Sequence, residues 1–455
     1  MKKYDVIVVG SGSGMLIVDE ATDHGLKVAL VDKGPFGGTC LNTGCIPSKM
    51  LIYPADSIVE IQEAKKLGIE AETRSVDFSF IMQRMRKSIH ESQSQMRQAL
   101  SQAENLDFYE GEGHFVGDYT IEVSGEKIKG DNIFLVSGSR PFIPPIKGLN
   151  SVDYLTNETL LQLKELPDSL IIIGGGYIGV EFGHFFAAMG TKVTILEMME
   201  SLVPVEEPEM YELLKEQLRR RMDVYTNAQA EEVKQESGKV KVAVKDRNTG
   251  EKRDFTAQRI LIAVGRRSNA DLLKVENTGV EIDGRGFIKV NQYLETSKKN
   301  IFAVGDANGQ QMFTHVANRE ALVAAENMFH GADLKMDYNA IPHAVYSHPQ
   351  IASVGLTEAQ ARKDHDILIG RVRYFDVAKG EAMMEEEGFA KAIVEKDSRR
   401  ILGFHIIGPY APVLIQEVVN AMTSGGQIDE INEGIHIHPA LSELIQTTVN
   451  SLEES

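Results

Sequence analysis

Two cysteines, no tryptophan and no long apolar run characterise this 455-residue chain. So little sulfur cannot build a disulfide scaffold, which points to a reducing compartment. After Met1-Lys2-Lys3 only Val6 to Val9 are apolar before Gly10, too short for a signal peptide. No stretch approaches the ~20 apolar residues that span a bilayer. A cytoplasmic location and no membrane partner are expected. Positive charge is also scarce: 48 Lys and Arg against 66 Asp and Glu leave a net charge of −18. That balance argues against nucleic acid, anionic membranes and large polyanionic substrates, all of which it would repel. The 42% hydrophobic and 25% charged content is ordinary for a globular protein and excludes a disordered or fibrous one. At roughly 150 residues per domain the length suggests about three domains.

Glycine, by contrast, is plentiful, with 40 residues, several of them clustered. Tyr4-Asp-Val-Ile-Val-Val-Gly-Ser-Gly-Ser-Gly14 is an apolar strand entering a glycine turn, and Leu170-Ile-Ile-Ile-Gly-Gly-Gly-Tyr-Ile-Gly179 repeats it. A helical stretch and a second apolar strand follow each time: Val28-Ala-Leu-Val-Asp32 and Val193-Thr-Ile-Leu-Glu197. Strand, glycine turn, helix and strand ending in a carboxylate make one mononucleotide-binding βαβ unit. Two units imply buried parallel sheets and two dinucleotides, with each pyrophosphate on a helix N-terminus and each carboxylate toward a ribose. Gly174, Gly176 and Gly179 fit the fingerprint. In the first unit Gly10 and Gly12 fit, but Met15 stands where the third glycine belongs and Gly14 comes one step early, which puts the close helix–strand packing in question.

Between the units helices are expected near 46–65 and 78–105. The second carries a stripe of Phe80, Ile81, Met85, Ile89, Met96 and Leu100. Alternation over 119–136 reads as a solvated antiparallel hairpin, and Pro141, Pro144 and Pro145 punctuate a connector. A helix near 314–329 follows Ile301-Phe-Ala-Val-Gly-Asp306. From about 338 strand alternation and a final helical region, with no phosphate loop, suggest a separate interface domain.

Both cysteines fall in Gly37-Gly-Thr-Cys40-Leu-Asn-Thr-Gly-Cys45-Ile-Pro-Ser-Lys49. A C-x₄-C pair opening a helix sits where the dipole favours thiolate. Inert packed thiols are the plain alternative; a zinc site lacks further ligands nearby. Dithiol redox chemistry accounts best for the pairing.

This segment, both glycine fingerprints, Ile301–Ala307 and His436-Ile-His-Pro-Ala-Leu-Ser-Glu443 together resemble the flavoprotein disulfide reductases, in order and over essentially the whole chain. The resemblance implies an α/β fold with two Rossmann-like dinucleotide-binding domains and a C-terminal α+β dimerisation domain. It divides the chain into an FAD-binding part (1–147, returning at 268–337), an NAD-binding domain (148–267) and an interface domain (338–455). The implied cofactors are FAD and NAD, without a metal. It assigns them Gly10, Gly12, Gly14, Asp32, Lys33, Gly38, Thr39, Lys49, Gly113, Ser137, Gly138, Asp306, His315, Gly174, Gly176, Tyr177, Ile178, Gly179, Glu197 and Gly265. Within that set Asp306 faces the ribityl chain and Tyr177 gates the flavin. Lys49, paired with Glu181, is beside flavin N5.

The same resemblance makes Cys40 and Cys45 a redox-active disulfide, with Cys45 against the flavin and Cys40 exchanging with substrate. His438, oriented by Glu443, moves the proton, since imidazole exchanges protons near neutrality. In the family that histidine comes from the partner subunit, so a homodimer with a shared active site is implied. His436 next to it also permits a His-x-His metal reading. Ala440 and Ser268 depart from the usual Thr and Pro and concern loop detail. Glu197 would repel a 2′-phosphate, and Glu197-Met-Met-Glu200 lacks the arginines of NADPH-linked relatives. The first expectation is therefore oxidation of dihydrolipoamide by NAD⁺, with free or protein-borne lipoyl groups as substrate. The alternative within the family is NAD(P)H-dependent reduction of a low-molecular-weight disulfide such as mycothione. A non-catalytic flavin-bearing subunit of a complex is the alternative of another class.

Overall fold

The computed structural model describes residues 1–454. The chain divides into two compact units: Met1–Ser48, Met82–Phe142 and Gly265–Asp337 form the first, and Lys49–Ile81, Ile143–Val264 and Tyr338–Ser455 the second.

The first unit is built on a sheet whose strands run, edge to edge, Leu106–Glu110, Val28–Asp32, Lys2–Val9, Glu126–Leu135, Thr120–Val123 and His114–Gly117. Ile301–Ala303 adds to Glu126–Leu135 as a further parallel neighbour. Lys2–Val9 pairs in parallel with Val28–Asp32 on one side and with Glu126–Leu135 on the other. Val6, Ile7, Val8 and Val28 to Val31 are all buried, which is why these strands read as unbroken apolar runs rather than alternating ones. Residues 126–135 are thus one arm of the expected antiparallel hairpin, but not a solvated one. Their polar start does pair antiparallel with Thr120–Val123, but Ile133, Phe134 and Leu135 carry the strand into the sheet centre. The turn at Ser124-Gly125, left-handed at both residues, closes the hairpin, and the apolar end of the second arm buries it.

Helix Phe78–Gln102 starts beside Asp77, whose Oδ1 accepts from the Phe80 N–H at 2.8 Å. Its buried stripe is Phe78, Met82, Met85 and Ile89 rather than one starting at Phe80 and Ile81; Phe80 is 62% exposed. Positions 78, 82, 85 and 89 recur at helical spacing, and a residue two steps from Phe78 falls on nearly the opposite side.

The second unit contains a four-stranded parallel sheet ordered Asp223–Tyr225, Lys192–Leu196, Ser169–Ile173 and Arg259–Ile262. An antiparallel three-stranded sheet, Ala228–Glu236, Lys239–Asp246 and Lys252–Ala257, shares an apolar core with it through Val233, Val242, Ile171 and Ile260. The C-terminal part is a six-stranded antiparallel sheet running from Pro342–Val345 through Ile351–Gly355, Ile401–Ile407, Phe389–Glu395 and Ile367–Arg373 to Glu453–Glu454. Helices Ala411–Ser424 and Glu443–Asn450 contribute Ile415, Val418, Leu444 and Ile445 to its core. The expected α/β architecture with a C-terminal α+β part is the one found.

Candidate active site

The two glycine turns are built alike. Gly10 and Gly174 adopt left-handed backbone, with φ of 112° and 109°. A Cβ on either would strike a carbonyl oxygen of the neighbouring strand end, Val136 O at 2.2 Å or Ala263 O at 2.3 Å. Only glycine fits there. Nothing lies within 4 Å of a Cβ placed on Gly176, and over Gly12 only the Gly38 Cα approaches, at 3.7 Å. The middle glycine of each turn therefore leaves backbone open to a ligand.

The strand-end carboxylates also match. Asp32 accepts from Ser11 N (2.6 Å) and Gly34 N (2.7 Å); Glu197 accepts from Gly175 N (2.5 Å) and Met199 N (2.7 Å). Each ties its glycine loop to the end of its own strand. The third glycines differ. Gly179 comes so near its own loop that a Cβ would lie 2.0 Å from Gly174 O, whereas a Cβ on Gly14 would meet Val8 Cγ1 at 2.8 Å. The close helix–strand approach that Met15 left in question is thus made by Gly14, one residue early.

Around the first turn the structure gathers further polar groups. Asp306 Oδ2 accepts from Ser139 Oγ at 2.5 Å, and Arg266 Nε donates to the same hydroxyl at 2.6 Å. The buried Ser137 hydroxyl has no hydrogen-bond partner among the described residues, a group that a ligand hydroxyl or phosphate would satisfy. Open glycine backbone, an unsatisfied hydroxyl and an acidic side chain next to them fit a dinucleotide at this turn. The open second turn with Glu197 fits one as well. Gly138 is a left-handed turn residue. Gly113 packs where a Cβ would meet Val31 Cγ1 at 2.8 Å, and its structural duty is plain. Lys33 and His315 are exposed, the latter stacked on Phe313 with ring centroids 5.5 Å apart. Thr39 and Gly265 lie at the surface, and Ile178 is half-buried.

The sulfurs meet as the C-x₄-C spacing suggests. Cys40 lies in the short helix Gly38–Asn42 and Cys45 opens helix Cys45–Glu63. Hydrogen bonding to Cys45, and then burial, push the Cys40 thiol well up, while a hydrogen bond to Thr314 acts the other way. Thr314 Oγ1 also stands 3.3 Å from Cys45 Sγ, at the first position of helix Thr314–Phe329. The N-termini of two helices thus adjoin the sulfur pair, and their dipoles act, with Thr314, against the burial that raises Cys40. Thr314 carried no signal in the sequence beyond opening a helix. Ser139 and Arg266 were missed too, although each directly follows a glycine assigned to a cofactor.

In the second unit Lys49 Nζ donates to Glu181 Oε2 at 2.6 Å and lies 4.2 Å from the centre of the Tyr346 ring. Burial pushes the Glu181 carboxyl up; the Lys49 charge and hydrogen bond and the Tyr346 N–H oppose it. The Tyr177 hydroxyl donates to Glu206 Oε1 at 3.2 Å, and burial, reinforced by that carboxylate, raises the phenol. Burial would raise Glu206 as well, but bonds from His343 and Ser353 hold it below the usual range. Glu206 lay in an acidic run before Pro208 and gave no hint of burial.

His438 Nδ1 and Glu443 Oε1 are 2.8 Å apart, and the Ala440 N–H binds the other carboxylate oxygen at 3.0 Å. The histidine bond draws the Glu443 carboxyl below its ordinary value. His436 is engaged separately, 2.6 Å from Glu417 Oε1. One arginine does reach the Glu197 loop: Arg247, from the turn between the second and third strands of the antiparallel sheet, donates to the Met198 carbonyl at 2.9 Å. It lies 50 positions beyond Glu197 in the chain, so local spacing could not reveal it.

Two apposed sulfurs, two glycine turns and a histidine–carboxylate pair on one chain define a dithiol-linked flavin and nicotinamide oxidoreductase. The family models agree: "Pyridine nucleotide-disulphide oxidoreductase" matches residues 4–321, and the dimerisation domain of the same family matches residues 341–449. The chain belongs to the pyridine nucleotide-disulphide oxidoreductases, FAD- and NAD(P)H-using enzymes that act on sulfur groups.

Among its relatives, mycothione reductase of Mycobacterium tuberculosis is 35% identical over 99% of this chain and 100% of its own length. Dihydrolipoyl dehydrogenase of Geobacillus stearothermophilus is 36% identical over 97% of this chain and 94% of its own. The HOCl-induced flavoprotein disulfide reductase RclA of Escherichia coli, solved as a Cu(II) complex, superposes with a TM-score of 0.89 at 29% identity, with 99% of each chain covered. No helix among the described residues is long and apolar enough to cross a membrane.

Proposed function

We propose that this chain, as a homodimer, couples NAD(H) to a dithiol–disulfide substrate, with dihydrolipoamide as the preferred dithiol. The observation that carries the proposal is the pair of apposed sulfurs, Cys40 and Cys45, with Thr314 beside both. Gly10, Gly12, Gly14, Asp32, Ser137 and Asp306 would hold FAD, and Gly174, Gly176, Gly179 and Glu197 the nicotinamide dinucleotide. When bound, the flavin supplies the two-electron link between the nicotinamide and the sulfur pair.

The protein's own steps follow from thiol chemistry. With Cys40 and Cys45 joined, a substrate thiolate attacks Cys40, the sulfur–sulfur bond breaks, and Cys45 leaves as thiolate. The second substrate thiolate attacks the sulfur bound to Cys40, closing the substrate disulfide and releasing the Cys40 thiolate. His438 takes the protons that the substrate thiols lose, and Glu443 fixes the ring's tautomer through Nδ1. Run in reverse, the same exchange reduces a disulfide. Thr314 and the two helix N-termini stabilise the thiolates formed in either direction.

The buried Glu197 carboxylate favours NADH over NADPH by charge repulsion. Arg247 at the Met198 carbonyl favours a second reading, NADPH-linked reduction of a low-molecular-weight disulfide. One panel decides between them: lipoamide and small disulfides including mycothione with NADH or NADPH, and dihydrolipoamide with NAD⁺ or NADP⁺, for the wild type and Arg247→Ala. Fast NADH-linked turnover of the lipoyl pair, unchanged by Arg247→Ala, supports the first reading. NADPH-linked reduction of a small disulfide that falls in Arg247→Ala supports the second.

A further inference from the structure

Helix Gly14–Asp23 packs against helix Thr314–Phe329. Near their starts Ser13 Oγ donates to Asn318 Oδ1 at 2.8 Å. At their far ends each is capped by a histidine, His24 and His330. These rings meet edge to face with centroids 4.8 Å apart, and His24 stacks on Phe329 at 5.7 Å. Glu20, one turn before His24, points its carboxylate at both: Oε1 is 2.8 Å from His330 Nε2 and 3.6 Å from His24 Nδ1. One ligand atom from each of the three side chains lies within 4.8 Å of the other two.

We propose that Glu20, His24 and His330 form a surface site for a borderline divalent transition ion of the Zn²⁺ class. Neighbouring ligand atoms in a tetrahedral zinc site stand about 3.3 Å apart, given bonds of roughly 2.0–2.1 Å. The 2.8 Å between Glu20 Oε1 and His330 Nε2 lies within about half an ångström of that value. Two imidazoles and one carboxylate are a donor set that zinc accepts, with water in the fourth position.

Two further observations favour a cation here. Both helices present their C-terminal ends, the negative pole of each dipole, to this one place. The His24 Nδ1 also sits 2.9 Å from the Glu20 carbonyl, which can only accept, so Nδ1 carries the proton. The other nitrogen of the neutral ring then has a free lone pair, the tautomer and carbonyl anchoring common among zinc-bound histidines. At His330 the ion would replace the proton shared with Glu20. The site would staple the far ends of two helices whose near ends adjoin the first glycine turn and the sulfur pair.

The test uses the full-length, FAD-loaded Cys40→Ser/Cys45→Ser protein, so that no thiolate competes. After chelator treatment it is titrated with Zn²⁺ calorimetrically. The expected result is one ion per chain and a raised Tm. In the same background His24→Ala/His330→Ala should weaken binding at least about tenfold, and Glu20→Gln should weaken it too, with the flavin absorbance of each variant unchanged as the sign of an intact fold. Should the double alanine variant lose its flavin, the single His330→Gln variant carries the test. No zinc uptake by the cysteine-free protein, or uptake undiminished by these substitutions, overturns the proposal and leaves an ordinary Glu–His pair.

Discussion

The two glycine turns, at Gly10 and at Gly174, solve one problem twice and differ at one point. In both, the first glycine has φ near 110° and packs against a carbonyl, and the strand-end carboxylate takes two backbone N–H bonds from equivalent positions. They part at the third glycine. In the second turn it is wedged against backbone, at Gly179; in the first it has moved to Gly14 and touches a valine methyl. What the fold demands is therefore a close approach of helix to strand, and the position of the glycine can slip by one when the obstacle is a side chain. The carboxylate has two duties as well. It is proposed as a ribose acceptor, and in this structure it tethers the loop.

The largest effect should test the asymmetry of chemistry between the units. Both sulfurs belong to the first, so Cys40→Ser or Cys45→Ser should lower disulfide turnover by at least about 10³-fold. Nicotinamide-dependent reduction of an artificial one-electron acceptor should continue, because both glycine turns are untouched. Retained disulfide turnover would remove the central role of the pair.

The next test takes the turns directly. Gly179→Ala sets a methyl against an immovable carbonyl oxygen and should cost about 3 kcal/mol or more, while Gly14→Ala meets a valine methyl that can give and should cost about 1 kcal/mol. Thermal melting and flavin content check this. Equal losses would mean that the slipped glycine is no more tolerant than the regular one.

A smaller contrast is expected at the carboxylates. Glu197→Gln removes a charge at the end of the second unit's strand and should shift the NADPH-to-NADH preference by about tenfold in kcat/KM. Asp32→Asn should loosen FAD and leave that preference where it was. A shift of equal size in Asp32→Asn would end the assignment of the two turns to different dinucleotides.

The smallest effect is electrostatic and confined to the second unit. A hydrogen bond from His348, 3.0 Å away, is the main cause that holds the Glu63 carboxyl at about 2, against 4.5 ordinarily. A lowered carboxyl pKa contributes stability above about pH 4.5, and that contribution disappears as the pH falls through about 2. The Glu63 side chain is 41% exposed, so solvent screening limits the effect to under about 1 kcal/mol. His348→Gln should lower Tm slightly near pH 6 and not at all near pH 2. An equal deficit at both would show that the loss is one of packing.

Some of this was legible one residue at a time. Repeated apolar runs ending in glycine announced two parallel βαβ units, because a strand buried on both faces needs no alternation and a phosphate turn needs residues without Cβ. The cysteine pair stood out since both lie within one short segment that opens a helix. Other features were not local. Phe78 rather than Phe80 faces inward because it shares a helix face with Met82, Met85 and Ile89, and which face meets the core was decided by packing. The end of Glu126–Leu135 became a central strand since two parallel neighbours, Lys2–Val9 and Ile301–Ala303, pair with it from far along the chain.

Strand, turn and helix identity, the glycine and carboxylate positions and the sulfur pair were thus settled by short-range chemistry: periodicity, left-handed backbone and spacing. Which distant side chains join them was decided only by tertiary structure. Thr314 comes to the sulfurs, Ser139 and Arg266 to Asp306, Glu206 to Tyr177, and Arg247 to the loop after Glu197. A hydrogen bond acts over about 3 Å in space and is indifferent to separation along the chain, so partners from other segments become visible only once the sheets have brought those segments together.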